Sequence, residues 1–165
     1  MKKVIIMLMM LAPMAAFAQK FGHVDVQAIM QSLPELSKVN GELEALGKQY
    51  QNELQAMQEE IQRKSDEYEK TRSTMNATKQ QETETNIQQL IQKYQQAVQD
   101  NQAAFEKAQR EKLAPVQEKV FKAIENVGKA GGYVYIMQVG STPFINPTLS
   151  KDVTSEVKAE LNKMK

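Results

Sequence analysis

Apolar residues recur at helical spacing through the first half of the chain. Between Leu36 and Tyr68, successive apolar residues are three, four or seven positions apart, which is the spacing of a coiled-coil seam rather than of a broad core face. Just upstream, Ser32, Pro34 and Glu35 match a capping box with Ser32 as the N-cap. The pattern therefore predicts a long helix that begins near Pro34. This first seam consists of Leu36, Val39, Leu43, Leu46, Tyr50, Leu54, Met57, Ile61 and Tyr68.

A second seam with helical spacing follows in the second half of the chain. The 67 residues Lys48–Ala114 contain neither glycine nor proline and are rich in good helix formers. Pro115 lies inside this seam, and because the pattern continues beyond it we expect a kink there rather than an end. The second seam consists of Ile87, Leu90, Ile91, Tyr94, Val98, Phe105, Ala108, Leu113, Val116, Val120, Ile124 and Val127.

The segment Thr71–Asn86 between the two seams has no hydrophobic period. Its threonine, serine and asparagine side chains can compete with helix through local hydrogen bonds, and Met75 is its only large apolar residue. We therefore expect the chain to reverse direction near residues 71–86.

Two candidate strands flank the helical region. Phe21–Val26 alternates in polarity, and Tyr133–Val139 is rich in β-branched and aromatic residues directly after Gly131 and Gly132, which stop a helix. Strands so far apart in sequence can pair only if the helical region folds back on itself. The sequence therefore predicts a mainly α protein with a small β head (α+β), from which a long antiparallel coiled-coil helical hairpin projects.

The chain after the second strand predicts two further elements. Phe144 and Ile145 can add a short strand within a proline-containing loop. Asp152 or Thr154 can cap a last helix, whose apolar face consists of Val157, Leu161 and Met164.

The first 18 residues have the features of a secretory signal peptide. Two lysines precede a short apolar run, and Ala16-Phe17-Ala18 supplies the small-x-small cleavage pattern. The apolar run is too short for a transmembrane helix. We therefore predict cleavage after Ala18 and export, which leaves 147 of the 165 residues. In the mature chain we expect a β-rich head at 19–35 and 128–165 and a helical-hairpin arm at 36–127.

The composition argues against several classes of function. Cysteine is absent and His23 is the only histidine, which removes thiolate and histidine-pair metal sites and leaves one residue for imidazole acid–base chemistry. Without the two lysines of the signal peptide the net charge is −1, whereas nucleic-acid binders usually carry a basic excess. We predict no enzyme activity, no cofactor, no metal and no nucleic-acid partner.

Few residues qualify as individual site candidates. His23 and Asp25 could form a proton-handling pair on one strand face, but a structural role is the stronger interpretation because no third partner is in sight. The seam tyrosines Tyr50, Tyr68 and Tyr94 are expected to pack between helices rather than to stack on a ligand.

Three residues of the predicted arm are functional candidates all the same. Met75 near the predicted tip could contact a binding partner, because methionine suits promiscuous surfaces, although packing within the tip is an equal alternative. Gly41 and Gly47 each weaken the first helix by about 1 kcal/mol relative to alanine. We therefore regard the two glycines as a candidate hinge at the base of the arm.

The order and spacing of these pieces resemble the Skp/OmpH family of periplasmic chaperones over essentially the whole mature chain. The matching segments, besides the signal peptide, are Phe21–Gln27, Leu33–Glu35, Leu113–Val116, Gly132–Tyr133 and Asp152–Thr154. The resemblance implies a homotrimer in which three helical hairpins hang from a central β body. The cavity between the hairpins would hold unfolded outer-membrane proteins without ATP and so prevent these proteins from aggregating.

The charge of the arm departs from this family pattern. The best-known members have strongly basic arms, whereas residues 60–86 here hold five basic and six acidic side chains. This balance argues against charge-driven client capture and against binding to lipopolysaccharide or membrane.

Other classes of protein fit the pattern less well. A structural envelope tether would have one straight helix with its strands at opposite ends, and a peripheral outer-membrane protein would associate with the membrane surface. An enzyme or metal-dependent module would have to use His23 with carboxylates.

Overall fold

The computed structural model describes residues 19–164, so the predicted signal peptide lies outside the described residues. The described chain divides into two units, which we call the strand-bearing unit (residues 19–30 and 118–164) and the helical unit (residues 31–117). In chain order the elements are β1 (Lys20–Val24), α1 (Val26–Gln31), α2 (Pro34–Thr71), one 3₁₀ turn (Arg72–Thr74), α3 (Ala77–Gly131), β2 (Tyr133–Gln138), β3 (Ser150–Asp152) and α4 (Thr154–Lys163).

The three strands form one parallel sheet in the order β2-β1-β3. Phe21 lies opposite Tyr135 of β2 and Ser150 of β3, so β1 is hydrogen-bonded on both sides. The two predicted strands therefore meet, as expected. Their pairing, together with the interruption of the helix after Thr71, excludes a straight helix with the strands at opposite ends.

The glycine at position 22 lets β1 pack closely against large side chains of β2. A Cβ added at Gly22 would lie 3.1 Å from Ile136 Cγ1 and 3.2 Å from Tyr133 Cδ1, so this buried position has room for little beyond glycine. At the end of α3, Gly131 lies under the Tyr133 ring, and Gly132 has φ +66°, a left-handed conformation that glycine adopts readily. The predicted helix stop at these two glycines is confirmed.

The strand-bearing unit has a small apolar core. Val24 from β1 and Ile29 from α1 are fully or almost fully buried together with side chains of α3 and α4. The predicted face of the last helix is confirmed for Val157 and Leu161, which are buried, while Met164 lies just beyond α4 and is half-buried. Side chains that complete this core are Val120, Ala123 and Val153.

Two predictions about the strands of this unit were wrong. Asp25 does not extend β1. Instead its Oδ1 accepts a hydrogen bond from the Ala28 amide at 2.8 Å, and its carboxylate caps the short helix α1. The third strand is not at Phe144, which is 76% exposed in a loop whose two prolines lack amide donors; Ser150–Asp152 pairs with β1 instead.

Helix α2 starts where the sequence predicted it, but not by the predicted cap. Its N-cap is Leu33, which makes no side-chain cap hydrogen bond, and Pro34 occupies the first turn. The Leu33 carbonyl accepts from the Leu36 amide at 3.1 Å. Ser32 is therefore not the N-cap, because Pro34 sets the first helical turn one residue later than the capping box requires.

The residues of the two seams are the less exposed residues of their helices. All nine members of the first seam are half-buried or buried, and so are all members of the second except Val98, which is 37% exposed. Pro115 lies inside α3, which continues past it as predicted. Among the described residues, no helix is both long and apolar enough to cross a membrane.

The interruption between α2 and α3 is shorter than the predicted segment. Residues 72–76 separate the two α-helices. Asn76 caps α3, because its side-chain oxygen accepts a hydrogen bond from the Lys79 amide at 2.9 Å. The hydroxyls of Thr83 and Thr85 donate to carbonyls four residues earlier. These threonines therefore bond back onto the helix instead of breaking it.

Side-chain hydrogen bonds between described residues join α2 to α3 within the helical unit. Their α2 members follow one another toward the end of that helix, while their α3 partners follow one another toward its start. The contacts are Glu42 with Lys112 (2.6 Å), Glu53 with Asn101 (3.4 Å) and Tyr68 with Glu84.

Candidate functional site

A groove of about 960 Å³ lies between α2 and α3 in the helical unit. Its apolar lining comes from seam residues that the opposite helix does not fully cover. Val98, the exposed member of the second seam, is among them. The apolar lining consists of Tyr50, Leu54, Val98 and Phe105.

Side-chain amides dominate the polar lining of this groove. On α2 they repeat every three or four residues and so form one stripe beside the seam. Among the described residues that line the groove, Glu59 is the single charged one, and its carboxylate accepts a hydrogen bond from Gln55 Nε2 at 2.9 Å. The amide residues are Gln51, Gln55, Gln58, Gln62, Asn101 and Gln102.

Gly47 lines the groove, whereas Gly41 faces open space. A Cβ added at Gly47 would lie 3.7 Å from Phe105 Cε2, an ordinary contact, and one added at Gly41 would meet nothing within 4 Å. Both glycines lie inside the continuous helix α2. Neither position needs glycine for steric reasons.

Met75 lies in the interruption between the long helices, next to a second pocket of about 450 Å³. It is half-buried and has an extended backbone (φ −85°, ψ 143°). Gln80 Nε2 donates to the Met75 carbonyl at 3.1 Å and to the Arg72 carbonyl at 3.0 Å, which ties the turn to the start of α3. Other apolar side chains lining this pocket are Tyr68, Ile87 and Leu90.

The three seam tyrosines occupy different surroundings along the helical unit. Tyr50 lines the groove between α2 and α3, and Tyr94 is half-buried on α3. Tyr68 lies near the turn, where its hydroxyl donates to the Glu84 carboxylate and the Arg72 guanidinium lies 5.9 Å from the ring centroid. The hydrogen bond to a charged acceptor raises the pKa of Tyr68 because it favours the neutral phenol.

The pair Glu42 and Lys112 is a second charged contact between α2 and α3. The hydrogen bond and the positive charge of Lys112 lower the pKa of the Glu42 carboxyl. Both side chains are well exposed, so this pair contributes little to the stability of the fold.

His23 and Asp25 do not form the proton-handling pair that the sequence left open. His23 Nδ1 and Ser150 Oγ are hydrogen-bonded at 2.9 Å across β1 and β3. Asp25 caps α1, and its amide donates to Thr154 Oγ1 at 3.0 Å. Both residues thus hold the strand-bearing unit together. In the part of the chain that the structure describes, no group of carboxylates and imidazole could hold a metal ion.

The groove was not predicted from the sequence, although its residues carried a signal. Glutamines that follow the seam at the same three- and four-residue spacing mark a polar stripe next to an apolar one. Which residues of the opposite helix complete the groove depends on the register between α2 and α3, and a single helical pattern does not contain that information.

The comparison with protein families decides the assignment of this chain. Residues 20–161, which span both units, match the family of outer membrane proteins described as OmpH-like. The chain belongs to the OmpH-like family. The resemblance noted in the sequence is therefore confirmed.

Solved structures of similar fold include one OmpH-like protein. It is a crystal structure described as a candidate outer membrane chaperone (OmpH-like) from Caulobacter crescentus CB15, with a TM-score of 0.77 and 16% sequence identity over 89% of this chain and 86% of that chain. At this identity the likeness shows a shared fold. A comparison with curated proteins gives no match.

The contact between Tyr68 and Glu84 makes a prediction about titration. In a Glu84→Gln variant the pKa of Tyr68 should fall toward its ordinary value, because the phenol loses its charged acceptor. Glu82→Gln is the matched control, since the Glu82 carboxylate pairs with Lys79. NMR titration of ring-labelled tyrosines measures the pKa of Tyr68 in both variants. An unchanged Tyr68 pKa in Glu84→Gln would mean that the two side chains do not meet in solution.

Proposed function

We propose that this protein is a periplasmic, ATP-independent holdase chaperone that binds unfolded outer-membrane proteins and prevents their aggregation. Membership of the OmpH-like family over residues 20–161 is the observation that carries the proposal. The candidate outer membrane chaperone from Caulobacter crescentus, which shares this fold, supports it. We propose no enzymatic role, and we place the protein in the periplasm after cleavage following Ala18.

We infer that α2 and α3 form an antiparallel coiled-coil hairpin, the arm of the chaperone. The parallel pairing of β1 with β2 supports this inference, because the intervening chain must return to its starting point. The order of the three contacts between α2 and α3 supports it as well. We propose that residues 36–127 are the arm and that residues 19–35 and 128–165 are the head.

We further propose that the head assembles into a homotrimer. Its core is small, and domains with so little buried apolar surface commonly gain stability by association. Large apolar side chains also lie exposed in the strand-bearing unit, and a monomer seldom leaves such a group without a partner. These side chains are Phe121, Val134, Tyr135, Val139, Phe144 and Leu149.

The client would lie in the cavity between the arms of the trimer. Met75, half-buried at the turn between α2 and α3, is our candidate for a client contact at the tip. The charge balance of residues 60–86 leaves no reason to expect nucleic acid, lipopolysaccharide or membrane as a partner.

Aggregation of a barrel precursor tests the proposed function directly. When a urea-denatured outer-membrane barrel is diluted into buffer, this protein should suppress light scattering at one trimer per client, without ATP. Native mass measurement should show a complex of three chains with one client. Full aggregation at excess chaperone would contradict the proposal. The alternative function is that of a peripheral outer-membrane protein, which the words of the family's description also fit. Such a protein would instead fractionate with membranes and be released by salt.

We propose that Gly41 and Gly47 soften the base of the arm so that the cavity can expand. Replacing both by alanine should stabilise α2 by about 1 kcal/mol per site, since neither position is sterically restricted. We expect lower arm mobility by hydrogen exchange and a narrower range of client sizes. Serine at both positions is the control, because serine raises helix propensity less. Unchanged mobility and client range in the alanine variant would rule the hinge out.

A further inference from the structure

The groove between α2 and α3 differs in charge from the rest of the helical unit. Exposed ion pairs such as Lys48 with Glu44 and Lys107 with Glu111 lie elsewhere on these helices. Of the described residues that line the groove, one is charged, and this residue, Glu59, already accepts a hydrogen bond from Gln55. An occupant of matching chemistry would therefore carry little charge, since a charged group would lose hydration here and Glu59 alone among the described lining residues offers it an ionic partner.

The groove is long and has two kinds of surface. Along α2 it extends from Gly47 to Gln62, which is about 22 Å at the rise of an α-helix. An extended chain of roughly six or seven residues spans this length. Apolar contact comes from Leu54, Phe105 and their neighbours. Four of the six amides already donate one hydrogen bond to a carboxylate, so each of these offers an occupant its carbonyl oxygen and its second N–H.

An extended amphipathic segment has the matching chemistry. One face of such a strand is apolar and the other polar, because side chains alternate. Its backbone amides and carbonyls lack partners before it joins a sheet, and glutamine side chains can bond both groups. Strands of outer-membrane barrels alternate in this way.

We propose that this groove binds single extended, uncharged, amphipathic segments of an unfolded barrel client, about six or seven residues at a time. The proposal rests on the proposed chaperone function and assigns its client contact to the groove within one chain. Because the groove is nearly uncharged, binding there should depend little on ionic strength.

Photo-crosslinking from two matched positions on α2 tests the groove. Gln58 and Gln49 are both exposed glutamines of the same helix, but only Gln58 lines the groove. Nine residues correspond to two and a half helical turns, so the two positions lie on opposite faces. Each is replaced in turn by benzoylphenylalanine in the full-length protein, and urea-denatured eight-stranded outer-membrane barrel is the client.

We expect the Gln58 position to crosslink to client several-fold more than the Gln49 position, with similar yields at low and high salt. The crosslinked client peptides should map to alternating strand segments. The groove assignment would be overturned by equal yields from both positions or by a yield that falls steeply with salt. Crosslinks to charged loops of the client, or mainly to a second copy of this chain, would overturn it as well. Aggregation suppression is measured in parallel. If the unmodified chain does not suppress it, the proposed function fails; if it does and the crosslinks are not selective, only the groove assignment fails.

Discussion

The parallel pairing of β1 with two distant segments is the constraint on which this structure depends. β1 is hydrogen-bonded to β2 and to β3, and the ladder is extended at its end by the Val139 amide on the Val24 carbonyl and the Val153 amide on the His23 carbonyl, each at 2.9 Å. Pairing strands so far apart would be slow and entropically costly through a flexible loop. Here long helices form most of the connection, so far fewer conformations are lost when the strands meet.

The helical unit is stabilised differently from the strand-bearing unit. Its buried apolar side chains among the described residues are Leu43 and Val116, and the seams are otherwise mostly half-buried. Local pairs along each helix add small increments, including glutamine–acid pairs such as Gln62 with Asp66 and Gln96 with Asp100. A helix pair with so little buried surface keeps apolar and amide groups accessible, and this accessibility is what a chaperone arm would need.

Sequence reasoning predicted the elements that depend on local spacing. The seams located α2 and α3 because apolar residues three and four positions apart indicate an α-helix. Gly131 and Gly132 located the end of α3. The elements that depend on distant partners were missed. β3 is three residues long and pairs with the edge of β1 that β2 does not cover, and α1 begins after Asp25, which caps this helix instead of extending the strand. The groove needs the register between two helices, so the sequence marked its glutamine stripe but not the site.

The central claim is that the chain doubles back between its two seams, and a distance between spin labels tests it most directly. Because the sequence has no cysteine, Glu53→Cys with Asn101→Cys creates one unambiguous labelled pair, 48 residues apart in sequence. Diluting labelled with unlabelled chains removes distances between subunits. Double electron–electron resonance should then give a separation several-fold shorter than the ~72 Å that a straight helix of this length spans. A distribution centred near that straight-helix value would contradict the hairpin, and with it the arm and the groove.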